Sequence, residues 1–172
     1  LILWTMASSA ALTLAVAHGL VWLMDRKSVG DLMFAIIAVS VAALAPAELG
    51  LMQSVTPEQF GEWVRWIHVP MFLALVGMVL FVRLYLKAGR RWMAWTIIGI
   101  RSLLLVVNFS VQPNVHWTEI TSLNTVNFLG GNVSVAGEAV VRPWQFLGTT
   151  SILLMAVFVI DASISLWRKG GK

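Results

Sequence analysis

The sequence contains no cysteine and few charged residues. The absence of cysteine from all 172 residues excludes thiol catalysis, disulfide bonds and cysteine-ligated zinc or iron–sulfur sites. Only 12% of the residues are charged, about half the share in a typical soluble domain, whereas 59% are hydrophobic. So little polar surface cannot cover a globule in water. The composition therefore predicts a protein that is embedded in a membrane.

The charges that are present are mostly basic, with 12 lysines and arginines against 8 aspartates and glutamates and a formal net charge of +4. A positive excess can indicate nucleic-acid binding, which requires a basic patch along one polar face. Here the basic residues lie between apolar runs instead, which is the pattern of membrane topology. We expect the lipid bilayer as a partner and no nucleic acid.

Five apolar segments are long enough to cross a bilayer, which takes about 20 helical residues. They cover residues 2–24, 32–52, 63–84, 92–111 and 144–166. The first is too long for a signal peptide, and Asp25-Arg26-Lys27 follows it instead of a small-residue cleavage site. Because the first residue is Leu1 rather than methionine, we expect the natural chain to begin earlier. The sequence predicts an all-α integral membrane domain over residues 1–172, a bundle of five transmembrane helices.

The basic residues and the tryptophans predict the orientation of the bundle. If the spans alternate, nine basic residues fall on one side, and only Arg65 and Arg142 fall on the other. The nine are Arg26, Lys27, Arg83, Lys87, Arg90, Arg91, Arg168, Lys169 and Lys172. All nine tryptophans lie near the ends of spans, as two interfacial belts require. By the positive-inside rule, the N-terminus lies outside and the C-terminus in the cytoplasm.

The connection formed by residues 112–142, which we call the lid, is predicted to be a folded element. A connection of about thirty residues in a compact protein usually has a function. Residues 120–129 and 132–135 have the pattern of two strands joined at Gly130-Gly131, because glycine accepts the positive φ angles of a tight hairpin. An isolated hairpin is only marginally stable. We therefore expect an extracytoplasmic, β-hairpin-like lid that lies on the outer ends of the helices.

The link between spans two and three contains a helix start signal, Thr56-Pro57-Glu58-Gln59. Thr56 suits the N-cap, Pro57 the first helical position, and Gln59 can reach back to the cap. The third helix is therefore predicted to start before its apolar segment.

Ionisable residues within apolar spans are costly and are candidates for a functional site. The outer group comprises Glu48, Arg65, His68 and Asn108, with His116 and Glu119 just above it in the lid. These residue types predict a ligand site, in which Glu48 and His68 share a proton, Arg65 binds an anionic group and Asn108 hydrogen-bonds a polar head. Pro46 and Pro70 interrupt the adjacent helices, as in many membrane cavities. The alternative is that Glu48 pairs with Arg65 at the interface, that the Arg65 side chain extends to the lipid headgroups, and that the prolines only bend the helices.

Three further polar residues are candidates for coupling the site to the cytoplasm. His18 and Asp161 lie at a similar depth toward the cytoplasm, so they could form either a signal-transmitting contact or a structural bond between spans one and five. Arg101 lies near the midplane, where no acid shares its depth. We expect it to reach along the bundle toward Glu48 or Asp161.

A haem or metal site remains an alternative to a site without a cofactor. His18 and His68 differ in depth by about 15 Å, which excludes one haem ligated by both. His68 could pair with His116, or hold a metal with Glu48 or Glu119. The sequence contains no nucleophile–base pair, phosphate loop or metalloprotease spacing, so we expect no enzymatic activity from these residues.

Several short motifs follow one another between Thr56 and Lys169. They are Arg65-Trp-Ile-His68-Val-Pro70, Phe81-Val-Arg83-Leu-Tyr85-Leu, Asn114-Val-His-Trp-Thr-Glu119-Ile, Phe128-Leu-Gly130, Val133-Ser-Val135, Pro143-Trp144 and Val157-Phe-Val-Ile-Asp161-Ala. This part of the chain resembles the membrane-embedded N-terminal region of bacterial sensor histidine kinases and related signalling proteins. Spans one and two match more loosely, through His18-Gly-Leu-Val-Trp22 and Ala47-Glu48-Leu.

The resemblance implies a sensory input module in the bacterial inner membrane, which in that family precedes cytoplasmic PAS and kinase domains. We expect it to sense a small ligand, or a membrane or periplasmic condition, and to act on cytoplasmic signalling domains or a partner membrane subunit, with a homodimer as one possible assembly. The alternative is an accessory or electron-transfer subunit that holds haem or a metal through His68. A transporter is disfavoured because the five spans show no inverted repeat.

Overall fold

The computed structural model describes residues 2–128 and 131–170, and in these residues five helices are long and apolar enough to cross a membrane. They are α1 (Ile2–Met24), α2 (Val29–Met52), α3 (Pro57–Leu80), α4 (Arg91–Ser110) and α5 (Trp144–Gly170). A π-helical turn, Phe81–Tyr85, continues α3. The prediction of five long apolar helices is confirmed.

The helices extend beyond the apolar segments where polar residues favour their ends. Thr56 caps α3 as predicted, since its hydroxyl accepts a hydrogen bond from the Gln59 amide at 3.2 Å while the Gln59 side chain accepts one from the Val55 amide at 3.1 Å. Asp31 in the first turn of α2 and Arg168 in the last turn of α5 suit the helix dipole. Each helix packs against the next one in the chain.

Small residues bring α1 close to α2. At their contact, a side chain of α1 hydrogen-bonds the carbonyl that a proline leaves free in α2. Ala11 and Ala15 of α1 are buried, as are Ala38 and Ala42 of α2. Pro46 has no N–H to donate to the Ala42 carbonyl one turn earlier. The Ser8 hydroxyl of α1 donates to that carbonyl instead, at 2.9 Å. The hydrogen bond that α2 lacks at Pro46 is therefore replaced by one from a side chain of the neighbouring helix.

The lid contains four strands in two antiparallel pairs. The base pair joins β1 (Trp117–Ile120) to β4 (Ala139–Val141), and the outer pair joins β2 (Leu123–Phe128) to β3 (Gly131–Ala136). The predicted hairpin is confirmed, but its first strand is broken. At the break, the Thr121 amide donates to the Glu138 carbonyl at 2.9 Å.

Two details of the lid differ from the prediction. The pairing of β1 with β4 was not expected, because β4 is only three residues long. Gly131 pairs with Phe128 within the strands rather than forming part of the turn. Leu129 and Gly130, where the rest of the predicted turn falls, lie outside the described residues.

The lid rests on the ends of α2 and α3, as predicted. Ile120 of β1 packs against Phe60 and Val64 of α3 in a small apolar core. The Ser134 hydroxyl of β3 donates to the Ser54 carbonyl, just after α2, at 2.6 Å. We call this the lid end of the bundle. The opposite end, which carries the turns at residues 25–28 and 86–90, is the basic end, and a second apolar core lies there around Phe158.

Candidate functional site

Two histidines meet beneath the lid, one from a helix and one from the lid itself. His68 lies in α3, and its Nδ1 donates to the Val64 carbonyl at 2.6 Å. His116 lies between α4 and β1, and its ring centroid is 4.9 Å from that of His68. The prediction that these two side chains share one site is consistent with this contact.

Arg101 lies beside these histidines in the middle of α4. Its side chain is only 8% exposed, and its Nε and Nη2 atoms have no hydrogen-bonding partner among the described residues. A cavity of about 10 Å³, room for roughly one water molecule, is bordered by Arg101, His68, Met71 and Leu104. We refer to Arg101, His68 and His116 as the Arg101 cluster.

The predicted partners of Arg101 are wrong. Neither Glu48 nor Asp161, both within the described residues, forms an ion pair with it. Asp161 pairs instead with Arg90, with 3.3 Å between Oδ1 and Nε. Asp161 lies on α5 and is held near the start of α4, so it cannot also reach the middle of that helix.

The surroundings of His116 lower the pKa of its imidazole. Burial lowers the pKa of His116 from 6.5 to about 4, and the nearby charges of His68 and Arg101 act in the same direction. The imidazole of His116 is therefore neutral at physiological pH. Its side chain can then offer one donor and one acceptor to a bound group without adding a positive charge.

Two buried asparagines fix the base of the lid to the helices. Asn108 donates to the Arg65 carbonyl at 2.9 Å and accepts from the Val115 amide at 3.1 Å. Asn114 donates to the Gly61 carbonyl at 3.3 Å and accepts from the amides of His116 and Trp117. Asn108 was predicted to bind a ligand, but here its amide holds the chain that carries His116.

Asn114 was missed by the sequence analysis. The signal that identifies it is local: an asparagine directly after Pro113 and before a strand favours a turn in which its side chain accepts backbone N–H groups. Its complete burial could not be predicted, because it depends on the docking of the lid against Gly61 of α3.

Arg65 hydrogen-bonds to the end of α4 and forms no ion pair among the described residues. Its Nη2 donates to the Val111 carbonyl at 2.8 Å and to the Gln112 side chain at 3.0 Å. Its Nε is buried and, within the described residues, makes no hydrogen bond. The alternative in which Arg65 pairs with Glu48 is wrong. Glu48 is half-buried and forms no ion pair or hydrogen bond within the described part of the chain, and Glu119 is exposed on β1.

The predicted contact between His18 and Asp161 is also wrong. His18 Nδ1 lies 2.7 Å from the carboxylate of Asp31, and the Ser28 hydroxyl binds the other oxygen of that carboxylate. This group joins α1 to α2, whereas α5 packs against α4. Similar depth suggested a pair, but depth does not determine which helices are neighbours.

The histidine pair also bears on the haem and metal alternatives. Rings whose centroids are 4.9 Å apart are in contact, so a porphyrin does not fit between His68 and His116 in this arrangement. Within residues 2–128 and 131–170, no group of three histidine, aspartate or glutamate side chains is placed to hold a metal ion. In the conformation described, these side chains therefore fit neither a haem held between the two histidines nor a metal ion with three such ligands.

Comparison of the chain with models of protein families, with curated proteins and with solved structures gave no match.

Proposed function

We propose that this chain is a membrane-embedded sensory input module of a bacterial signalling protein, and that it binds a small anionic ligand at the Arg101 cluster. The observation that carries the proposal is the buried guanidinium of Arg101, which lacks a partner for Nε and Nη2 among the described residues. A buried charge without a partner is costly in a membrane. A ligand that supplies the missing negative charge removes this cost.

The chemistry of the cluster favours an anion over a cation. The planar guanidinium offers parallel N–H donors that match a carboxylate or a phosphate. His116 is neutral at physiological pH and adds a hydrogen-bonding group without charge. A cation would be repelled by Arg101 and, within the described residues, would find no group of three acidic or histidine ligands.

Binding of such a ligand requires the lid to move. The cavity beside Arg101 has room for about one water molecule, which is less than a carboxylate with any substituent needs. His116 is the member of the cluster that belongs to the lid, which Asn108 and Asn114 fasten to α4 and α3. Ligand entry therefore displaces the base of the lid.

A displaced lid acts directly on α5. Arg142 lies between β4 and α5, and its guanidinium donates to the Trp117 carbonyl at 2.9 Å and to the Gln112 carbonyl at 2.5 Å. At the basic end, α5 contacts the α3–α4 turn through Asp161 with Arg90. A small shift of α5 changes that contact. Small shifts of one helix against another are among the known ways in which proteins transmit a signal between two sites. The proposed orientation places the Arg101 cluster in the outer half of the inner membrane and the end of α5 in the cytoplasm.

Titration of the purified protein in nanodiscs with acetate and with inorganic phosphate tests the proposal. The Trp117 ring lies 5.8 Å from that of His116, so a change at the cluster should alter the emission of this one of the nine tryptophans. We expect a saturable change in fluorescence and a raised unfolding midpoint for at least one of the two anions. Arg101→Gln should abolish both effects, and Arg168→Gln, a change of equal charge at an exposed position, should retain them. An equal response of wild type and Arg101→Gln would contradict the proposal.

The electron-transfer alternative requires His68 and His116 to separate, because their ring centroids are 4.9 Å apart and leave no room for a porphyrin between them. A visible absorption spectrum distinguishes this alternative from a sensor. A Soret band in the purified protein that disappears in His68→Ala would favour a haem-binding subunit. A spectrum without such a band, together with the anion response, favours the sensory module.

A further inference from the structure

A second cavity lies at the basic end, far from the lid. It has a volume of about 300 Å³ and opens between the π-helical turn after α3 and the first turns of α4. Its walls are formed by Leu80, Leu84, Ala94 and Ile98, with Arg83 and Arg91 among the lining residues. The groove thus combines an apolar wall with two cationic groups.

The π-helical turn and the α3–α4 loop hold Arg83 in place. Its Nη1 donates to the carbonyls of Ala88 and Gly89 at 2.9 and 2.6 Å. Its Nε and Nη2 make no hydrogen bond within the described residues, so their donors remain free for a ligand. π-helical turns within helices are frequent at functional sites. Arg83 is therefore a fixed cation with unused donors at the groove.

The other residues of the groove match the boundary between headgroups and hydrocarbon. Arg91, the first residue of α4, is exposed and makes no ion pair in the described part of the chain. The indole of Trp95, one turn later, also lines the groove and is 67% exposed. Tryptophan prefers the interface of a bilayer, where its ring lies beside headgroups.

We propose that this groove binds one anionic glycerophospholipid, with its phosphate between Arg83 and Arg91 and an acyl chain along Leu80 and Ile98. Charge complementarity selects an anionic headgroup, since two arginines and no acidic side chain line the groove within the described chain. The apolar wall selects a lipid over a soluble phosphate. Basic pockets between transmembrane helices bind anionic lipids in this way.

Native mass spectrometry of the detergent-solubilised full chain tests this site. With phosphatidylglycerol we expect a single retained lipid, and with phosphatidylcholine much weaker retention. Arg91→Gln should weaken phosphatidylglycerol binding about fivefold, which corresponds to the contribution of one cation near an anionic lipid. Because Arg91 is exposed and unpaired among the described residues, this variant should fold normally. Arg83→Gln should weaken binding further, but it also removes two hydrogen bonds of the loop.

Arg168→Gln serves as the matched control, because it removes one exposed charge at the same end of the bundle. We expect it to leave the affinity unchanged. Equal weakening by Arg168→Gln and Arg91→Gln, or equal retention of the two lipids, would overturn the proposal. So would complete displacement of the lipid by millimolar glycerol phosphate, since that result indicates a site for soluble phosphate. The groove shares no lining residue with the Arg101 cluster, since Arg101 lies in the middle of α4 and the groove at its first turns.

Discussion

Arg101, which is buried, and Arg65, which is half-buried, differ in how far their guanidinium groups are hydrogen-bonded. The Nη2 of Arg65 makes two hydrogen bonds to the end of α4. The guanidinium of Arg101 is buried with Nε and Nη2 unsatisfied in the described residues. The two hydrogen bonds of Arg65 stabilise the contact between α3 and the end of α4, whereas burial of the unpaired donors of Arg101 costs free energy.

We predict that Arg101→Met leaves the thermal unfolding midpoint of the ligand-free protein unchanged or raises it, because methionine keeps part of the apolar stem and removes an unpaired charge. Arg65→Met should lower the free energy of unfolding by about 1.5–3 kcal/mol, the usual value of hydrogen bonds to a charged group. Differential scanning fluorimetry in one detergent measures both variants. A strong destabilisation by Arg101→Met alone would indicate that a partner within the protein satisfies Arg101.

His116 makes stability depend on pH in a defined window. Its pKa is lowered from 6.5 to about 4 by burial and by the charges of His68 and Arg101. Between these two values the unfolded chain binds a proton that the folded chain does not, so acid favours unfolding. We predict that the unfolding midpoint of the wild type falls as the pH is lowered from about 6.5 to about 4. His116→Gln should show a smaller fall over the same range, and identical pH profiles would contradict the assignment.

At the scale of the elements, one hydroxyl of α1 supplies a hydrogen bond that α2 lacks. Pro46 leaves the Ala42 carbonyl without its helical donor, and Ser8 of α1 supplies a replacement at 2.9 Å. In lipid, no water can take over this role. The same arrangement explains why Pro46 is tolerated in a helix that packs on two sides.

We predict that Ser8→Ala lowers the free energy of unfolding by about 1 kcal/mol, the usual order for a hydrogen bond between transmembrane helices. Thr13→Ala is the matched control, because the Thr13 hydroxyl binds the Ser9 carbonyl within its own helix. In a Pro46→Ala background, where the helical donor is restored, Ser8→Ala should cost less. A double-mutant cycle by thermal or denaturant unfolding measures the difference, and equal costs in both backgrounds would exclude this role of Ser8.

At the scale of the whole molecule, the two ends of the bundle differ in structure. The lid, which Asn108 and Asn114 fasten to the helices, covers the lid end, while short turns and most of the basic residues form the basic end. This asymmetry allows ligand reception at one end and contact with cytoplasmic domains at the other, as proposed.

We predict that the lid faces the outside of the inner membrane. Because the chain contains no cysteine, single cysteines can be introduced without removing any native one. Thr125→Cys in β2 and Arg168→Cys in α5 both lie at exposed positions. A membrane-impermeant maleimide should label Thr125→Cys in intact spheroplasts and Arg168→Cys only after lysis. The reverse pattern would invert the topology.

Much of the fold could be predicted from the sequence, and the candidate site only in part. The five helices follow from the length of the apolar segments, and the Thr56 cap follows from the residue types at neighbouring positions of the chain. His68 and His116 were both predicted, and the structure brings them into contact. Glu48 and Glu119 were predicted as well, but within the described residues neither forms an ion pair with Arg101, which was predicted to act in coupling.

The sequence by itself determined that the chain forms five apolar helices and a hairpin, because burial in lipid and strand pairing depend on residue type and spacing. Only the tertiary structure decided the partners of the polar side chains. His18 binds Asp31 and Asp161 binds Arg90, because the neighbours of each helix depend on packing around the bundle axis. Arg101 remains without a partner for Nε and Nη2 in the described residues, and Asp161, one of its predicted partners, pairs with Arg90 instead.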